Sequence, residues 1–125
     1  MTLARELMGL GAPAGLASGI GGSYAAVTAA GSAQSDATAL VASMGVVAGA
    51  DGTKGVILPA CEVGGECTYF NNSASTLKVY PDSSAAISVA GTGLGSANAA
   101  FSQLTYKTTI YRKVTSTQWL ANTSA

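Results

Sequence analysis

Hydrophobic and polar residues alternate in several short stretches of this chain, and the alternation is clearest at residues 76–80, TLKVY. In an extended backbone, Leu77 and Val79 fall on one side and their polar neighbours on the other, which is typical of a half-buried β-strand. Pro81 follows directly and lacks the N–H donor that would continue a hydrogen-bonded ladder. The pattern therefore predicts a strand that ends at residue 80.

Similar strand signals recur from residue 36 to the C-terminus, separated by clusters of Gly, Asn, Asp and Ser. Many short strands joined by such turns predict an all-β fold, and we expect a jelly-roll-like β-sandwich. No segment recurs at a fixed period, so the sequence does not favour a solenoid or a propeller. The further predicted strands are Ala39–Ala42, Gly45–Ala48, Val56–Leu58, Cys67–Asn71, Ala85–Val89, Ala99–Leu104, Thr105–Val114 and Gln118–Leu120.

The longest predicted strand, Thr105–Val114, is rich in β-branched and aromatic residues. Its alternation allows two orientations, because Ile110 lies on one face and Lys107, Tyr111 and Lys113 lie on the other. An apolar side chain turned inward with the lysines outward is the simpler assignment. We therefore expect Ile110 in the core and both lysines in solvent.

The first 35 residues differ from the rest of the chain in composition and in their pattern of helix-forming residues. A run of helix formers after Thr2 and a second short run after Pro13 predict two short helices, each ended by glycine. Helices this short are marginal in water, so we expect docking on another surface to order them. Residues 21–35 are mostly Gly, Ala and Ser and predict an extended or flexible segment. The predicted organisation is an N-terminal arm at 1–35 and a β-sandwich body at 36–125.

With 125 residues, the chain has room for one hydrophobic core. Hydrophobic residues make up 48% of it, but many are alanines and aromatic residues are only 6%, so each buried position contributes little area. Oligomerisation would add the burial that such a core lacks. The side chains that we expect to hold the body or its subunits together are Leu77, Val79, Phe101, Ile110 and Trp119.

Six basic and six acidic residues give a formal net charge of zero, and charged residues are only 10% of the chain. This balance offers no electrostatic attraction to nucleic acid or to an anionic membrane surface. No uninterrupted apolar run of about 18 residues is present, so the sequence does not predict a membrane-spanning helix. So few charges are unusual for a freely soluble monomer, and we expect neighbouring proteins to cover much of the surface.

The reactive side chains do not form a catalytic or metal-binding set. Histidine is absent, which removes the commonest general base and the commonest zinc ligand. Glu62 and Glu66 flank a Gly-Gly turn and are interpreted as exposed carboxylates rather than an acid pair. Cys61 and Cys67 lack zinc-site spacing; we interpret them as small buried or loop thiols, with a disulfide across the turn as the alternative. We expect no enzyme activity, no cofactor and no metal.

Four short motifs follow one another along the body: Gly55-Val56-x-Leu58-Pro59, Asn71-Asn72, Leu77-x-Val79-Tyr80-Pro81 and Gln118-Trp119. Their succession resembles small virion proteins of tailed bacteriophages, over roughly residues 29–120. The chain departs from that pattern at its two cysteines, where small or β-branched residues are expected. It departs again at Tyr69-Phe70, which is bulkier than the usual aliphatic strand.

The resemblance implies a non-enzymatic β-rich module that assembles as a homo-oligomer, with a trimer expected. It further implies a capsid decoration, or cement, protein that is made in the host cytoplasm and binds neighbouring major capsid subunits of the virion. The alternative is a fibre or tail-associated receptor-binding module, with Tyr80, Tyr111 and Lys107 as candidate contacts. In the decoration interpretation, the arm contacts the capsid through Leu3, Leu7, Leu10, Leu16, Ile20 and Tyr24.

Overall fold

The computed structural model describes residues 24–89 and 95–124, and these contain ten β-strands in two sheets. A single 3-10 turn, Gln34–Asp36, is the helical element within those ranges. The predicted all-β class is therefore confirmed. The strands are β1 (Tyr24–Thr28), β2 (Thr38–Ala39), β3 (Met44–Ala48), β4 (Gly55–Ile57), β5 (Glu66–Asn71), β6 (Leu77–Tyr80), β7 (Ala86–Val89), β8 (Phe101–Gln103), β9 (Thr108–Thr115) and β10 (Gln118–Thr123).

The first six strands alternate between the two sheets, and each of the first four pairs in parallel with the strand two places later. β1, β3 and β5 lie side by side in the six-stranded sheet, and β2, β4 and β6 do so in the four-stranded sheet. Tyr24 lies opposite Met44, 20 residues later, and Met44 lies opposite Thr68, 24 residues later. The chain from residue 24 to residue 80 thus winds through three stacked coils.

This winding differs from the prediction in two respects. A jelly roll is assembled from antiparallel Greek keys, whereas five of the eight pairings among the described strands are parallel. The sequence did not favour a solenoid, because no segment recurs at a fixed period, yet residues 24–80 wind as stacked coils. The coils differ in length, and their inward residues differ as well: Gly45 lies beside Tyr69. The sequence therefore does not repeat with a fixed number of residues per coil.

The C-terminal strands complete both sheets beyond the third coil. β9 pairs antiparallel with β5, β10 pairs antiparallel with β9, and β7 pairs in parallel with β10. In the other sheet, β8 pairs antiparallel with β6. The third coil therefore does not present an unpaired edge, which would otherwise be a template for aggregation.

The core lies between the two sheets and is closed by large side chains from both. Leu77, Val79 and Trp119 are each at most 1% exposed. Phe101 is partly buried and packs edge-on against Tyr111, with the ring centroids 5.9 Å apart and the planes at 82°. Such edge-to-face pairs add about 1 kcal/mol beyond the area that they bury.

Gln103 is fully buried and makes hydrogen bonds at both ends of its side-chain amide. Its Nε2 donates to the carbonyl oxygens of Tyr69 and Lys107, each at 2.8 Å, and its Oε1 accepts from the Tyr111 hydroxyl at 2.6 Å. The Asn71 amide donates to the Gln103 carbonyl at 3.1 Å. These bonds join β5, β8 and β9 and satisfy polar groups that would destabilise the core if unpaired.

The orientation predicted for the longest strand is wrong. Tyr111 and Lys113 point into the body and are 0% and 7% exposed, whereas Ile110 is 42% exposed on the opposite side of β9. The polar ends of both inward side chains have hydrogen-bond partners. The Tyr111 hydroxyl donates to Gln103, and the Lys113 ammonium donates to Asp82. Long amphipathic side chains can bury their apolar stems when their polar ends are satisfied in this way.

The predicted boundary between arm and body at residue 35 also needs correction. β1 pairs along its whole length with β3, so the body begins no later than Tyr24. Residues 24–28 are therefore part of a sheet rather than of an extended arm. The predicted helices and Leu3, Leu7, Leu10, Leu16 and Ile20 lie outside the described residues.

Candidate protein-interaction face

The side of the six-stranded sheet that is turned away from the core carries one continuous row of side chains across five strands. We name this side the outer face. The register places Tyr24 of β1 beside Met44 of β3, then Thr68 of β5, Ile110 of β9 and Asn122 of β10. Because side chains alternate along each strand, the residues two places away on these strands point outward as well.

Most large apolar side chains that the described residues expose on strands belong to the outer face. The four-stranded sheet has no comparable row, because its outward positions include Lys78 and Ser102, which lie side by side, and the half-buried Ile57 and Tyr80. A concentration of exposed apolar groups on one side of a small domain marks an interaction surface. The outer-face members are Tyr24 at 64% exposure, Met44 at 43%, Ile110 at 42%, Val114 at 44% and Leu120 at 39%.

One ion pair lies within this apolar surface. Glu66 of β5 is directly opposite Arg112 of β9, and an Arg112 guanidinium nitrogen donates to a Glu66 carboxylate oxygen. Both side chains are about half exposed, so solvent screens the pair and its contribution to the stability of the monomer is about 0–1 kcal/mol. The two charges are therefore available to a partner protein.

Two adjoining shallow depressions lie on the outer face. One has a volume of about 170 Å³ and is lined by Glu66, Arg112, Leu120, Ile110 and Asn122. The other, of about 190 Å³, shares Ile110 and Asn122 with the first. Pockets for small organic ligands usually measure about 300–1,000 Å³. These depressions suit single side chains of a docked protein better than they suit a separate ligand.

Asp82 is the centre of a polar cluster on the other side of β9. Its Oδ1 accepts from the Trp119 indole nitrogen at 2.8 Å, and its Oδ2 accepts from the Lys113 ammonium at 3.1 Å. That ammonium also lies 5.6 Å from the centroid of the Trp119 ring. Burial raises the pKa of Asp82, but the hydrogen bonds from Trp119 and Lys113 and the lysine charge outweigh it and hold the pKa below its usual value. The cluster ties the loop after β6 to β9 and β10.

Both cysteines are free thiols in the structure, and they differ in exposure. Cys67 is buried, and burial raises its pKa to about 12, with a smaller contribution from the neighbouring Cys61 thiol. Cys61 is half-buried, and burial raises its pKa as well, against an opposing effect of the Lys113 charge. A thiol reacts through its thiolate, so neither environment activates a nucleophile.

Glu62 and Glu66 were interpreted from the sequence as exposed carboxylates, and the structure places both at exposed positions. Glu62 is exposed in the turn before β5, whereas Glu66 is engaged with Arg112 on the outer face. The described residues contain no group of three or more His, Cys, Asp or Glu side chains that could hold a metal ion. Within the same ranges, no helix has the length and apolar character needed to cross a membrane.

The remaining predicted contacts are scattered over the body. Tyr24 is on the outer face, Tyr80 points outward from the four-stranded sheet, and Lys107 lies in the turn before β9. Tyr111, predicted as an exposed receptor contact, is fully buried, which corrects that assignment. The sequence prediction missed the outer face as a whole. The sequence does contain the alternating residues Ile110, Arg112 and Val114, which all point outward from β9. They indicate an exposed apolar face only when it is known that Tyr111 and Lys113 point inward.

No protein-family model, no curated protein and no solved structure matches this chain.

Proposed function

We propose that this chain is a structural component of a virion, namely a capsid decoration (cement) protein of a tailed phage that binds neighbouring major capsid subunits and stabilises the head. The observation that carries the proposal is the outer face, a surface five strands wide that exposes five large apolar side chains around the Glu66–Arg112 ion pair. A surface of this kind is made for contact with protein rather than for chemistry on a small molecule.

The low charge of the chain supports the same conclusion. A net charge of zero and 10% charged residues suit a protein whose surface is covered in an assembly, and they give no attraction to nucleic acid or to a membrane surface. In this proposal the chain is made in the host cytoplasm and resides on the capsid surface of the virion. It works without catalysis and without a cofactor.

The arm and the body have different binding roles in this proposal. The apolar residues of the arm contact the capsid, and the body brings several copies of the chain together as a homo-oligomer. Tyr24, the last of the proposed arm contacts, is 64% exposed at the start of β1 and extends the apolar surface to the point where the arm joins the body. Several weak arms on one oligomer gain strength through effective concentration. The trimer expected from the resemblance stays a prediction.

The test uses particles assembled from the genome that encodes the chain, prepared without this protein. Three proteins are added to these particles: the wild type, a variant lacking residues 2–22, and Ser102→Glu as a control that leaves the arm intact. Bound copies are counted after sedimentation. We expect wild type and Ser102→Glu to bind in hundreds of copies over the head and to raise the temperature at which the particles release DNA. The truncated chain is expected not to bind. Equal binding by the truncated chain contradicts the arm assignment, and absence of all three from the head contradicts the proposal.

A fibre or tail-associated receptor-binding module is the second candidate, and one loop favours it. Between β8 and β9, Leu104 and Tyr106 are 56% and 58% exposed and lie next to Lys107. Tyr106 has a φ of 56°, which turns the chain sharply at this tip. An exposed aromatic side chain beside a cation is a common form of binding contact. Copy number separates the candidates, because a few copies at the tail favour this module and hundreds on the head favour cement.

A further inference from the structure

We infer that the outer face binds the outer face of a second copy of this chain, in a two-fold pair with the two six-stranded sheets stacked face to face. This contact is a property of the chain in solution and does not depend on a role in a virion. It goes beyond the proposed function, because it assigns a contact between copies to particular strands in a fixed register, and it expects a pair in place of the trimer that the resemblance implies.

The rest of the described body does not offer a surface that complements the outer face. The outward positions of the four-stranded sheet offer Lys78 and Ser102 rather than a matching apolar row. A face that contacts the same face on a second copy forms a closed, two-fold contact. Two sheets packed face to face lie about 10 Å apart with their strands within about 30° of each other. Exposed side chains such as Met44, Ile110 and Leu120 have the size to fill that gap.

The charges of Glu66 and Arg112 favour one position for the two-fold axis. With the axis parallel to the strands and midway between β5 and β9, β5 of one copy lies over β9 of the other. The register then places Glu66 over the partner's Arg112, and Thr68 over the partner's Ile110. Each copy contributes the same pair, so two negative and two positive charges alternate at the centre of the contact.

Three other positions of the axis are unfavourable. An axis directly above β5 places Glu66 opposite the partner's Glu66, and an axis above β9 places Arg112 opposite the partner's Arg112. An axis that crosses the strands at Thr68 places Glu66 opposite the partner's Phe70. Like charges in contact, or a charge against an aromatic ring, oppose association. The ion pair that contributes little to the monomer therefore specifies how two copies fit.

The first experiment measures the mass of the full-length chain in solution by light scattering at concentrations up to about 100 μM. We expect wild type to have the mass of two chains. Ile110→Glu places a charge at the centre of the contact and is expected to weaken pairing on the order of 100-fold or more, since each 1.4 kcal/mol is tenfold. Ser102→Glu adds the same charge to the opposite sheet and is expected to pair as wild type. A monomer, a trimer, or an Ile110→Glu protein that pairs normally overturns the proposal.

The second experiment tests the register and does not depend on a loss of function. Glu66→Arg gives a face with two positive charges, and Arg112→Glu gives a face with two negative charges. Each variant alone is expected to be monomeric because like charges meet at the centre of the contact. An equimolar mixture is expected to form a mixed pair, because each positive group then meets a negative one. If the mixture stays monomeric while wild type pairs, the register between β5 and β9 is overturned.

Discussion

Asp82 links three parts of the body through its two carboxylate oxygens. It receives the Trp119 indole N–H and the Lys113 ammonium, both from side chains that are less than 10% exposed. Tryptophan and lysine are difficult to bury unless their polar ends are paired. The carboxylate therefore makes possible the inward orientation of β9 and β10 at this end of the sheet.

Replacing Asp82 with alanine is expected to lower the free energy of unfolding by about 2 kcal/mol at pH 7, because a buried N–H and a buried ammonium lose their acceptor. The folded-state pKa of Asp82 is lowered, so its stabilising contribution is present above the unfolded pKa of about 3.9 and is lost as pH falls through the folded value. The difference between wild type and variant should therefore shrink below about pH 4. Urea unfolding at several pH values measures it.

A matched control for this experiment is Glu62→Ala, which removes a carboxylate from an exposed turn. It should unfold within about 0.5 kcal/mol of wild type at pH 7. An Asp82→Ala protein that is equally stable would show that the Trp119 and Lys113 contacts contribute nothing net.

The two thiols are expected to differ in their reaction with iodoacetamide. Cys67 is 2% exposed and its pKa is raised to about 12, so it should remain unlabelled at pH 8 until the protein unfolds. Cys61 should react, but more slowly than a free thiol, because burial raises its pKa too. Timed labelling followed by peptide mass analysis, with a urea-unfolded sample as control, measures both rates. Rapid native labelling of Cys67 would contradict its placement in the core.

At the scale of single strands, Gly45 determines how closely the first two coils approach. A side-chain carbon at this position would lie 2.2 Å from the Ala25 carbonyl oxygen and 3.0 Å from a ring carbon of Tyr69. The first distance is far below van der Waals contact, and a backbone atom cannot move aside as a flexible side chain can. The missing side chain is thus a condition for pairing β1 with β3.

Gly45→Ala is accordingly expected to lower the free energy of unfolding by about 1–3 kcal/mol, the range seen when a packed site is overfilled. Ala26→Val is the control, because it adds bulk to the outward side of β1, where the side chain is exposed. Thermal unfolding of both proteins makes the comparison. A Gly45→Ala protein as stable as the control would contradict the close contact between β1 and β3.

Most strand positions were predictable from local pattern, but strand partners were not. Nine of the ten described strands overlap predicted ones, because alternation and turn residues act over a few neighbours. β1 was missed because it lies in a segment of mostly Gly, Ala and Ser, whose composition predicted an extended or flexible arm although Tyr24, Val27 and Thr28 favour strands. The direction of pairing depends on contacts about 20 residues apart, which leave no local trace. The outer face escaped prediction because the partners of Tyr111 and Lys113 come from distant loops and strands.

For the molecule as a whole, the pairing scheme predicts a gradient of local stability across the six-stranded sheet. The order β1-β3-β5-β9-β10-β7 leaves β1 and β7 with one described neighbour each and places β5 and β9 at the centre. Strands hydrogen-bonded on both sides open only in larger unfolding events. We therefore expect amide protons of β5 and β9 to exchange most slowly and those of β1 to exchange among the fastest of the strands.

Hydrogen exchange followed by mass spectrometry of peptides from each strand measures this gradient. Pairing of two copies through the outer face would slow exchange in β5 and β9 further as protein concentration rises, while β2 and β8 of the other sheet should not change. Uniform exchange over all strands would contradict the described order.

Each parallel coil also contributes a fixed increment to the height of the body. Each further turn would add one strand to each sheet, and neighbouring strands lie about 4.8 Å apart, so the body would grow in steps of about that size. The C-terminal strands could remain in place as a fixed cap, because among the described strands they pair with the coils only at β5 and β6 of the last coil. Duplication or loss of one coil would thus change the height of the protein while preserving both its cap and its register, a simple route by which related chains could come to differ in reach.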